Sequence, residues 1–143
     1  GVPALRKILL GLTQQQLLLL QGIRVFFGAT FLMHASIGAM PVAFGVIDGW
    51  SHITAGFLGL VAAFCFSINA DAVRRAWFAN LWGLTDILVV ASTLSLLILR
   101  DLTPHGVMMY AVFLPAPLWL WFHLISIYKL VSADGKVTIS ASR

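Results

Sequence analysis

Arg24, Asn80, Asp86 and His123 are polar groups set into otherwise apolar stretches. A guanidinium, an amide, a carboxyl and an imidazole in such surroundings can do three kinds of work. They can brace helices through an ion pair and hydrogen bonds, pass protons, or anchor the polar end of a ligand, since Asp and His at membrane depth build both relays and cofactor pockets. The other histidines, His34, His52 and His105, fall near all four methionines, Met33, Met40, Met108 and Met109. Imidazole with thioether suits copper, and His/Met pairs also hold haem iron. The competing reading gives these histidines capping and interfacial hydrogen bonds and makes the methionines gap-fillers in apolar packing. No HExxH, CxxC or CxxCH spacing accompanies them.

The chain that must position these groups has 143 residues, 60% of them hydrophobic and 10% charged, with no Glu. A soluble domain carries roughly 25% charged residues, so the composition reads as an integral membrane protein, a single domain over 1–143 without repeats. The net charge of +4 does not read as a nucleic-acid footprint, because the basic residues stand at the ends of apolar runs rather than along one face. Cys65 is the only cysteine and falls inside an apolar run, where a small hydrophobe is its ordinary role.

Four segments meet the length of about 20 apolar residues that a spanning helix needs: roughly 17–40, 47–69, 76–99 and 107–130. The breaks are Pro41 with Asp48-Gly49, then "NADAVRR", then "RDLTPHG". Connections this short predict an all-α, up-down-up-down antiparallel bundle. Residues 1–16 are too short and too basic to span, and Leu5, Ile8, Leu9 and Leu12 share one helical face, so an interfacial segment is expected there. Placing Arg6, Lys7, Arg74, Arg75, Lys129, Lys136 and Arg143 inside leaves only Arg100 outside, which predicts an N-in, C-in topology in a bacterial cytoplasmic (inner) membrane. Asp48 and Asp101 then belong to outer loops.

At about 1.5 Å of rise per residue, Arg24, Asp86 and His123 fall within roughly 5 Å of one level, with Asn80 one to two turns below. A lone charge at that depth is costly, so Arg24 is expected to pair with Asp86 and the four residues to form a polar layer between the first, third and fourth helices. His34, His52 and His105 are expected at the outer end, with His52 near His34. His52, Gly56, Gly59 and Ala63 recur at helical spacing, giving a close-packing face for a helix of the same bundle, a second protomer, or the flat ring of a lipid or cofactor. Trp50 and Trp77 read as interface markers, Trp119 and Trp121 cannot face the same way, and Pro115 and Pro117 predict a kink in the fourth helix.

The order "MPVAF…DGWSHITAGFLGLVAA", "NLWGLTDILVVAS", "LPAPLWLWFHLISIYKL" resembles a family of small bacterial four-helix membrane proteins with an Asn-Leu-x-Gly-Leu-x-Asp helix and a proline-rich segment ending in His-Leu. The likeness covers roughly 24–130 and implies that Asn80, Gly83, Asp86 and His123 belong together. It departs where the pattern has Asp and this chain has His52, and in the closer spacing of its prolines. It implies a fold and a site but no reaction.

Function is accordingly open between classes. With short loops and no recognised nucleophile, the first expectation is a non-catalytic accessory or assembly subunit in contact with lipid and with other membrane subunits or further copies of itself. The alternatives are a cofactor or metal module holding haem, copper, quinone or pigment through His34, His52 or His123, a small proton-coupled transporter in which Asp86 and His123 titrate, and a quinone-linked enzyme.

Overall fold

The computed structural model describes residues 2–66, 71–98 and 115–141, and within them every regular element is a helix. A short helix, α1 (Val2–Gly11), precedes α2 (Gln14–Gln21) and α3 (Arg24–Ser36). Thr13 starts α2 with a capping box: its hydroxyl accepts from the Gln16 backbone N–H, and the Gln16 side chain accepts from the Thr13 N–H. The first span therefore begins earlier than 17. Gly22 and Ile23 keep helical dihedrals between α2 and α3, so Gln14–Ser36 forms one 23-residue element. It ends before 40, in a turn where Gly38 takes φ +71°.

Helix α4 (Val42–Cys65) starts directly after Pro41. The Asp48-Gly49 pair, a break by sequence, lies inside it. Gly49 is there for approach rather than turning: a Cβ on Gly49 would stand 3.0 Å from the Gly28 carbonyl, and one on Gly28 would strike the Gly49 carbonyl, so α3 and α4 meet backbone to backbone. Helix α5 (Ala72–Thr93) follows and runs into a π-helical stretch, Leu94–Ile98. Helix α6 (Pro115–Ala141) packs against both α5 and α2 and closes a ring of four walls, α2/α3, α4, α5 and α6. Pro115 and Pro117 stand at the start of α6 as described, and residues 107–114, the earlier part of the expected fourth span, lie outside the described residues.

Among the described residues three elements, Gln14–Ser36, Val42–Cys65 and Ala72–Leu96, are long and apolar enough to cross a membrane. Their outward side chains suit lipid, with Phe26, Phe57, Phe64 and Leu88 largely exposed. Two apolar clusters fill the interior: Leu18, Ala62, Ala63, Ala76, Ala79 and Leu130 toward one end, and Phe31, Ala35, Met40 and Phe44 toward the other. The centre between them is polar.

Candidate functional site

Arg24 is the first residue of α3 and is fully buried. Its Nη2 forms an ion pair with Asp86 Oδ2 of α5, and its Nη1 donates to the Gly83 carbonyl at 3.2 Å and to His123 Nε2 of α6 at 2.9 Å. Arginine can only donate, so His123 Nε2 accepts and the proton of its neutral ring sits on Nδ1. That Nδ1–H donates to Asn80 Oδ1 at 3.1 Å. Asn80 Oδ1 also accepts from Gln21 Nε2 at 3.1 Å, while Asn80 Nδ2 donates to the Ala76 carbonyl at 2.8 Å and to Ser126 Oγ at 2.7 Å. Gln14 Nε2 reaches the same Ser126 hydroxyl. On the far side of Asp86, His52 Nδ1 lies 2.7 Å from Oδ2 and Ser51 Oγ bonds Oδ1. The structure thus gathers Arg24, Asn80, Asp86 and His123, adds Gln21, Ser51, His52 and Ser126, and strings them across all four walls.

His52 is a correction to the expected outer histidine–methionine set. Because α4 begins at Val42 rather than 47, His52 lies about 7.5 Å further along its helix than the later start implies, and the buried carboxylate of Asp86 takes its ring N–H. His34 is turned to its own helix instead, with Nδ1 2.7 Å from the Thr30 carbonyl. Met33 is 55% exposed, whereas Met40 is packed beside Phe31 and Phe44. His105, Met108 and Met109 lie outside the described residues. Among the described residues no group of three or more His, Cys, Asp or Glu is arranged to hold a metal ion.

Asp48, expected in an outer loop, is buried, and the Thr93 hydroxyl lies 2.8 Å from each of its carboxyl oxygens. The close-packing face of α4 is filled from within the chain. A Cβ on Gly56 would stand 2.7 Å from the Val25 backbone nitrogen, one on Gly59 would stand 3.0 Å from Gln21 Cβ, and Ala63 packs with Leu18. Of the three partners considered for this face, the structure supplies a helix of the same bundle.

Beside the polar layer lies a cavity of about 190 Å³, lined by Arg24, Phe31, His52, Ile87, Val90, Ala91, Leu94, Ser95, Ala116 and Trp119. Trp119 is 4% exposed and packs under Arg24, whose Cζ is 5.2 Å from the indole centroid; the His52 ring lies 5.7 Å away from it. Trp121 faces outward, 55% exposed. The π-helical stretch contributes Leu94 and Ser95 to the wall, in keeping with the tendency of such stretches to occur at functional sites. Among the described residues three buried side-chain polar atoms have no hydrogen-bond partner, the acceptors Gln14 Oε1 and Gln21 Oε1 and the donor Arg24 Nε, and of these residues only Arg24 lines the cavity.

The signals for the added residues were present but faint. Gln21 precedes Arg24 by three residues and Ser126 follows His123 by three, so each shares a helical face with a charged or ring group.

A family model described as "Domain of unknown function (DUF8737)" matches residues 1–131. No curated protein and no solved structure matches the chain.

Proposed function

The chain belongs to that family, and we propose that it is a four-span protein of a bacterial-type inner membrane whose buried layer holds the polar head of a small lipophilic ligand. The observation that carries this reading is Arg24 itself: a buried guanidinium neutralised by Asp86 that still has a free Nε–H and forms one wall of a cavity. A brace needs neither an unmet donor nor adjoining space, since a buried donor without an acceptor costs about 1–3 kcal/mol. An ion pair in hydrocarbon is itself weak evidence for stability, because apolar replacements of similar volume are often as stable. The accessory-subunit expectation rests on short loops and the lack of a recognised nucleophile, with a partner met through the glycine face and the fourth helix; of these two surfaces the glycine face is packed against the chain's own α2 and α3. In this proposal α6 is the fourth span, α1 lies along the inner surface with Arg6 and Lys7 toward lipid headgroups, and the protein binds rather than transforms its ligand.

The test is purification from native membranes in mild detergent, solvent extraction, mass spectrometry of the extract, an absorption spectrum and a metal count. The expected result is one lipophilic molecule per chain, depleted in the Arg24→Leu, Asp86→Leu double variant. Empty protein that copurifies with stoichiometric membrane partners would overturn it in favour of an assembly role.

A further inference from the structure

We infer that the cavity beside Arg24 takes the head group of a single-ring quinone, with a ring carbonyl oxygen accepting the free Arg24 Nε–H; this rests on reading the layer as a ligand site. Three properties of the cavity select that class. Size comes first: an apolar cavity of about 150 Å³ holds one benzene, so 190 Å³ suits one six-membered ring with small substituents. Charge comes second. Arg24 and Asp86 already cancel, so a carboxylate or ammonium ligand would bring an uncompensated charge into a buried site, which a neutral ligand does not. The third is chemistry. The walls are apolar and aromatic except for Arg24, His52 and Ser95; among these lining residues the buried group without a partner is the Arg24 Nε donor, so the ligand must offer an acceptor, and the Trp119 and Phe31 rings favour a flat molecule. A neutral, planar ring bearing carbonyl oxygens satisfies all three. Ala91 and Ser95 are exposed side chains on the cavity wall, so a prenyl tail can leave between α5 and α6 into lipid.

The test uses the full chain in phosphatidylcholine nanodiscs, with Trp50, Trp77, Trp82 and Trp121 changed to Phe so that Trp119 alone fluoresces. Tetramethyl-1,4-benzoquinone should quench it saturably at one per chain. The oxygen-free ring 1,2,4,5-tetramethylbenzene should compete at least about tenfold more weakly, the size of one hydrogen bond to a charged group. Ala91→Phe and, independently, Ser95→Phe should remove the saturable component and leave only collisional quenching. Equal competition by the oxygen-free ring would overturn the inference, as would saturable quenching that survives both substitutions. Absence of saturable quenching with a different molecule found in the native extract sinks the quinone assignment alone, whereas an empty native extract sinks the ligand site with it.

Discussion

Gly83 and His123 share one space from two helices: the imidazole stands where a Cβ on residue 83 would be, and the Gly83 carbonyl accepts Arg24 Nη1 at 3.2 Å. The absent side chain lets α6 bring His123 under Arg24. Gly83→Ala should therefore push the imidazole away and cost about 1–3 kcal/mol, as overpacking does in a tight interior. Gly11→Ala is the control, since nothing lies within 4 Å of a Cβ there. Unfolding midpoints in mixed micelles compare them, and equal midpoints for the two variants would show that α5 and α6 do not meet at this point.

How far the site could be read from sequence depended on what each residue reveals about depth. Arg24, Asn80, Asp86 and His123 stand out because charge and amide are rare in apolar runs, and rise per residue fixes their level to about a turn once a helix start is known. Asp48-Gly49 reads as a turn, which sets His52 and Asp48 too near the outer end, while in the fold Gly49 is a notch against Gly28. Local sequence does not distinguish a glycine that breaks a helix from one that lets two helices touch. Gln21, Ser51 and Ser126 were harder still, since a lone amide or hydroxyl bonds its own helix as readily as a neighbour. Thr13-x-x-Gln16 carries a capping-box pattern, but hydropathy sets the helix start later, because Gln14, Gln15 and Gln16 lower it.

Asp48 and Thr93 yield a second expectation. The hydroxyl at 2.8 Å from both oxygens is the one side-chain donor to this buried carboxyl among the described residues. Thr93→Val should cost about 1–3 kcal/mol by leaving the acceptor unmet, whereas Asp48→Leu with Thr93→Val should return close to the starting stability. Ser92→Ala, which loses only a bond to its own helix, should change little. Denaturation of the four proteins checks the pattern; a double variant no better than Thr93→Val would show that the pair is not the unit.

Orientation gives a third. In the proposed topology Ala39, exposed in the turn between α3 and α4, faces out, and Asp71, exposed before α5, faces the cytoplasm. With Cys65→Ser as background, Ala39→Cys in intact cells should react with an impermeant maleimide, and Asp71→Cys should react only after permeabilisation. The reverse pattern would invert the bundle in the membrane.

Asp86 gives the last. Its carboxylate receives Arg24, His52 and Ser51 from α3 and α4, so it ties two helices to α5 through three donors. Asp86→Ala strands a buried guanidinium and should cost on the order of 3 kcal/mol or more. Arg24→Leu with Asp86→Leu should recover much of that loss, because the desolvation of both charges leaves with them, and the non-additivity of the cycle measures the coupling. Recovery should stay incomplete, since His52 then lacks its carboxylate and His123 loses the donor to its Nε2. Adding His52→Phe should move stability further toward wild type, as the remaining ring keeps its packing beside Phe31 and Trp119. Unfolding free energies from steric trapping read all of these variants. A double variant as unstable as Asp86→Ala would show that the charges do not act as a pair; a double variant that folds well but has lost its extracted ligand would separate the binding role of the layer from its structural one.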